Sequence, residues 1–91
     1  MSVVEVSLVI CNQKGLHARA AAAFVKCVSQ YGSEIVVEKD GQSADGCSIL
    51  SLMMLAASKG TTIKVKAEGY DAQEAVDAVS ALVNAKFGEE Q

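Results

Sequence analysis

The seven residues Gly15-Leu16-His17-Ala18-Arg19-Ala20-Ala21 hold the only histidine of this chain and set it where a turn gives way to a helix. The first backbone N–H groups of a helix lack intrahelical partners and carry the positive end of its dipole, so an anion held there is stabilised. Gly15 lets the chain turn sharply, and Arg19 adds a permanently charged fork whose geometry suits phosphate oxygens. Imidazole is a nucleophile only when neutral, a form that a helix N-terminus favours, and the same terminus welcomes a phosphoryl group once attached. His17 therefore reads as a phosphate acceptor and Arg19 as the group that steadies the phosphate. From one short motif, a helix cap, a packed core residue or an ordinary surface histidine stays open beside that reading. No metal site is expected, because Cys11, Cys27, Cys47 and His17 show neither CxxC nor HxxxH spacing.

Working outward, residues 2–10 (SVVEVSLVI) alternate and are rich in Val, which predicts a first strand, with residues 11–16 as the turn into His17. Downstream, Ala21, Phe24, Val25, Val28 and Tyr31 recur at the spacing of an amphipathic helix over residues 18–31, and Gly32 is expected to end it in a left-handed C-cap. Residues 34–38 and 42–45 read as strands joined at Asp40-Gly41, a pair that favours a tight hairpin. Residues 48–58 read as a short helix stopped near Gly60, and residues 61–67 alternate as a fourth strand closed by Gly69. Asp71 reads as the N-cap of a last helix, with Glu74 completing a capping box and Ala72, Ala75, Val76, Val79, Leu82 and Val83 as its inner stripe. The order β-α-β-β-α-β-α is α+β, with helices expected on one face of an antiparallel sheet. A ferredoxin-like split fold gives nearly the same string of elements, so periodicity leaves the strand order open.

Composition narrows the function. Ninety-one residues suffice for one modest core, and residues 1–88 are expected to form one domain followed by a fraying tail at 89–91. Aromatics are only 4% of the chain, so there is little stacking surface for bases, and a formal net charge of −3 disfavours phosphate-backbone binding. Nucleic acid is therefore not expected as a partner. Three cysteines, an odd number, together with no signal-peptide pattern at the start, point to a reducing cytoplasm. No apolar run reaches the length of about 18 residues that would suggest a membrane span. The longest, residues 49–57, is interrupted by Ser51.

That run also carries a second expectation. Ile49, Leu50, Leu52, Met53, Met54 and Leu55 cannot all face one narrow core. Helical spacing puts Leu52, Leu55 and Ala56 inward and Leu50, Met53, Met54 and Ala57 on another face, with Ile49 at the edge. A Met-rich exposed patch suits a surface that docks several partners. Ser48, at the start of this helix, reads from the residues alone as an N-cap.

Over essentially its whole length the chain resembles the HPr family, the histidine-containing phosphocarriers of the bacterial phosphoenolpyruvate-dependent phosphotransferase system. The resemblance is carried by Gly-Leu-His-Ala-Arg at 15–19, the element order, the Asp-Gly hairpin, Ser48-Ile49-Leu50 and Lys59-Gly60. It settles the choice that periodicity left open, implying an open-faced β-sandwich with a four-stranded antiparallel sheet and three helices on one side. It further implies that His17 takes phosphate on Nδ1 from phosphorylated enzyme I and passes it to a IIA-type acceptor protein, with no cofactor. Ser48 matches a serine phosphorylated by HPr kinase/phosphorylase in some lineages, although Cys47 stands where those proteins often have Lys. Leu16, Ala20, Ile49, Leu50, Met53 and Met54 are expected to form the docking surface of a monomer. Ala20 replaces the family's usual Pro, as in HPr-like proteins of the nitrogen-related branch in alphaproteobacteria. A protein-binding module controlled by phosphorylation, without onward transfer, is the alternative of a different class.

Overall fold

Alternation along the strands sorts the side chains of one sheet into two faces. A computed structural model describes residues 2–91, with β1 at Ser2–Val9, α1 at Ala18–Val28, β2 at Glu34–Lys39 and β3 at Gln42–Asp45. It continues with α2 at Ile49–Met54, β4 at Thr62–Gly69, α3 at Ala72–Asn84 and a closing 3-10 turn at Lys86–Gly88. The sheet order is β1-β4-β2-β3 with every neighbouring pair antiparallel. Val65 of β4 stands opposite Val6 on one side and Val37 on the other, which aligns the apolar faces of three strands. Leu8, Ile35, Val37, Ile63, Val65 and Ala67 are buried on that face, while Lys64 and Glu68 point to solvent.

The three helices cover the apolar face, as an open-faced sandwich requires. Ala20, Ala21, Phe24 and Val28 of α1 are buried against it, with Leu52 of α2 and Ala72, Ala75, Val76, Val79 and Val83 of α3. With so few aromatics, close approach of Ala-rich helices takes the place of large side chains in filling the core. No helix among the described residues is long and apolar enough to cross a membrane.

Several local expectations are corrected. α1 ends at Val28 with Ser29 as its cap, and Gly32 is not in the left-handed region. Gly32 instead lies beside the exposed Tyr70 ring, which a Cβ there would meet at 2.9 Å and which has room to move aside. Asp71 starts α3, but its side chain does not cap the helix. Its carboxylate accepts from the N–H groups of Gly32 (2.8 Å) and Ser33 (2.9 Å) and from the Ser33 hydroxyl, clasping the α1–β2 loop to the start of α3. These donors, the Ser33 hydroxyl first, hold the Asp71 carboxyl below its ordinary range.

α2 is shorter than its apolar run. Ala56 takes φ 53°, which breaks the helical spacing, so Ala57 turns inward and Ala56 outward, the reverse of the sequence expectation. Lys39 holds this end, its Nζ donating to the carbonyls of Leu55 (2.9 Å) and Ala56 (3.3 Å), a cation at a helix C-terminus.

Candidate functional site

The loop between β1 and α1 is pinned at both ends. Ile10 exchanges backbone hydrogen bonds with Thr61 (2.9 Å) and Gly60 (2.7 Å), and the Leu16 N–H donates to the Ala57 carbonyl (2.8 Å). Gly15 has φ 66°, and a Cβ there would run into the Ala57 carbonyl oxygen, so only glycine lets the loop lie this close to the segment after α2. Inside the loop Asn12 is fully buried, and its Nδ2 donates to the Gly15 carbonyl (2.8 Å).

His17 occupies the N-cap position of α1 with extended backbone angles, and its carbonyl accepts from the Ala21 N–H at 2.8 Å. Its side chain does not cap the helix, and the first turn holds no acidic residue. The amides of that turn are therefore left for an anion. The ring is part-exposed and meets a carboxylate through one nitrogen: His17 Nε2 lies 2.5 Å from Glu89 Oε2. No hydrogen bond to Nδ1 occurs among the described residues. Arg19 is exposed and shares with His17, Lys14 and Glu89 an open pocket of about 450 Å3.

Glu89 comes from the segment expected to fray. The 3-10 turn carries Lys86 at φ 58° and Phe87 at φ 56°, which reverses the chain, and the Phe87 side chain is buried in the core. With that anchor in place, the Gln13 N–H donates to the Gln91 carbonyl at 2.9 Å, and Asn12 Nδ2 donates to Glu89 Oε1 at 3.0 Å. The Asn12 hydrogen bond, followed by the contact with His17 and the nearby Arg19 charge, holds the Glu89 carboxyl below its ordinary range despite partial desolvation.

The second set of expected residues divides. Ser48 caps α2, its Oγ accepting from the Ser51 N–H at 3.2 Å. Ile49, Leu50, Met53 and Met54 are exposed, Leu50 at 68% and Met54 at 73%, a large fraction for apolar side chains. Met53 also lines a groove with His17, Lys14 and Leu16, so the apolar patch runs up to the histidine. Leu16 and Ala20, however, are 4% and 0% exposed and are corrected from docking residues to core. Their side chains pack into the core from the end of the loop and from the first turn of α1. The residues missed from sequence are Asn12, Phe87 and Glu89. Phe87 follows Val83 by four residues, a spacing that marks it in the sequence as apolar in step with α3 although the helix ends at Asn84, whereas Asn12 and Glu89 meet across 77 residues with no periodicity to mark either.

Comparison with known proteins agrees with this arrangement. A family profile described as "PTS HPr component phosphorylation site" matches residues 4–85. The chain is 47% identical over 83 residues to the phosphocarrier protein HPr of Neisseria meningitidis serogroup A, covering 91% of this chain and 93% of that one. It is 42% identical over 89 residues to the phosphocarrier protein NPr of Shewanella violacea, covering 98% of each. The solved structure of HPr-C-His from Thermoanaerobacter tengcongensis superposes with a TM-score of 0.92 at 45% identity, covering 97% of this chain and 99% of that one. An open-faced α+β sandwich with an uncapped histidine at a helix start thus defines a phosphocarrier of the phosphotransferase system, and the chain belongs to the HPr family. A dimer of HPr from Thermoanaerobacter tengcongensis is also among the similar solved structures, so family membership does not by itself imply a monomer.

Proposed function

We propose that His17 is the phosphoryl acceptor of this carrier, taking the group on Nδ1 from phosphorylated enzyme I and passing it to a IIA-type protein. The observation that carries this reading is the imidazole at the uncapped start of α1 beside Arg19 and Lys14. A phosphoryl group on Nδ1 would be met by amide donors, the helix dipole and two cations, all present before the reaction. Arg19 steadies the group in flight. Partners dock on Ile49, Leu50, Met53 and Met54, whose exposed apolar surface is continuous with the groove at His17. Ser48 is a regulatory site for an HPr kinase/phosphorylase, because a phosphate there would stand at the edge of this patch.

The protein works in the cytoplasm as a monomer of one domain, to which the tail at 89–91 is tied by the hydrogen bonds of Asn12 to Glu89 and of Gln13 to Gln91. Similarity to NPr and the Ala20 replacement support a place in the nitrogen-related branch of the system. The test is incubation with labelled phosphoenolpyruvate and enzyme I. The native protein should gain an acid-labile, base-stable label, as a phosphoramidate on imidazole does, and His17→Ala should gain none. Undiminished, acid-stable label on His17→Ala would overturn the assignment.

A further inference from the structure

We propose that Glu89 is a positioning residue that holds the proton of His17 on Nε2 and thereby leaves the Nδ1 lone pair free to attack phosphorus. The inference deepens the reading of His17 as acceptor and rests on it. A chain of donors and acceptors fixes the direction of each bond. The Gly15 carbonyl only accepts, so the Asn12 atom 2.8 Å from it is the amide nitrogen. That same nitrogen donates its second N–H to Glu89 Oε1, and the opposite amide orientation would set an oxygen against two acceptors. Glu89 is held ionised by its surroundings and accepts only. The nitrogen of His17 that faces Oε2 must therefore be the protonated one.

The chemistry needs this tautomer. In the transfer, the Nδ1 lone pair forms the new P–N bond while the donor's bond to phosphorus breaks and its electron pair leaves with the donor. No proton has to depart, because the ring becomes a phosphoimidazolium whose Nε2–H still points at the Glu89 carboxylate. When the acceptor takes the phosphoryl group, the P–N electrons return to Nδ1 and the same neutral tautomer is restored. Glu89 offsets the positive charge that appears on the ring in both directions, and Arg19 and Lys14, which line the same pocket, are the cations available to the phosphate oxygens.

The isosteric variant Glu89→Gln separates this role from simple anchoring of the tail. Asn12 presents N–H to one end of the side chain, so the Gln amide would turn its oxygen to Asn12 and its NH2 to His17. That arrangement makes Nε2 the acceptor and moves the proton to Nδ1. Glu89→Ala removes the contact without imposing the wrong tautomer. His17 is the only histidine, so imidazole 15N shifts of the full-length, unphosphorylated protein report the tautomer directly.

We expect Nε2–H in the native protein, a mixture in Glu89→Ala and Nδ1–H in Glu89→Gln. Initial phosphorylation rates at saturating carrier should fall several-fold for Ala and roughly tenfold or more for Gln, with little change in apparent affinity for enzyme I. A native Nδ1–H tautomer, an unchanged tautomer in Glu89→Gln, or a Gln variant as fast as the native protein would each overturn the proposal. Failure of the acceptor reading is distinguishable: the native protein would then show no label on His17, whatever its tautomer.

Discussion

Asn12 Nδ2 donates to Glu89 Oε1 at 3.0 Å, joining the loop before α1 to the end of the chain. The same amide nitrogen holds the Gly15 carbonyl, so one side chain supports both the loop that carries His17 and the carboxylate that touches it. Asn12→Ala leaves the buried Gly15 carbonyl without its donor and should destabilise the fold by about 1–3 kcal/mol. The tail should also loosen, seen as faster amide exchange at Gln13, whose N–H donates to Gln91. Unchanged stability and protection would mean that Asn12 does not organise this region.

The tail contact should depend on pH in a defined direction. Glu89 has a lower pKa in the folded protein than in the unfolded chain, where a glutamate titrates near about 4.3. Its contribution is fully present above that value and is lost as pH falls through the lower, folded pKa. Asp71, held down chiefly by the Ser33 hydroxyl, adds acid sensitivity of the same sign. Chemical denaturation across acidic pH should show stability falling as pH drops, with a shallower slope in Glu89→Ala. An identical slope in that variant would show that the carboxylate is unlinked to folding.

Arg19 is exposed and its side chain makes no hydrogen bond or ion pair among the described residues, so its removal should leave the melting temperature nearly unchanged. A cation aimed at the phosphoryl group acts mainly when charge moves in the transition state, so Arg19→Ala should slow transfer by roughly 10- to 100-fold. A large loss of stability with normal transfer would make Arg19 structural.

How far these features could be read from the chain depended on their range. Alternation in β4 and the 3.6-residue stripe of α3 are local consequences of burial on one face, and both appear where the sequence placed them. Ser48 was legible as an N-cap because capping spans only three residues. Strand order, β1-β4-β2-β3, depends on pairings that no local pattern encodes, and the resemblance implied only the four-stranded sheet with its three helices. Asp71 was misread because the Ser33 clasp offered its carboxylate better donors than its own helix. Glu89 lay beyond reading altogether, since its place depends on the left-handed turn at Lys86 and Phe87.

Ser48 should report on docking. A phosphate adds about −1.5 to −2 charges at neutral pH, which the start of a helix tolerates but an apolar interface does not. Ser48→Asp should stay folded and accept phosphate from enzyme I with weaker apparent affinity. Ser48→Ala should transfer almost normally while losing about 1 kcal/mol of stability with the cap. If Ser48→Asp matches the native protein in affinity and rate, the serine is only a cap.

The apolar patch makes a parallel prediction. Leu50 and Met54 are mostly exposed, so Leu50→Asp and Met54→Asp should change stability by no more than about 0.5 kcal/mol. Each should raise the apparent KM for the carrier in phosphorylation by enzyme I by roughly tenfold. Normal KM values for both variants would remove this face from the docking surface.

Onward transfer is the most direct measure of a carrier. The protein, labelled through enzyme I, freed of the donor and mixed with a IIA-type acceptor, should lose its label from His17 as the acceptor gains it, mole for mole and without added phosphoenolpyruvate. Label that stays on the protein until it hydrolyses, while the acceptor binds but gains none, would contradict the account and leave a binding module controlled by phosphorylation.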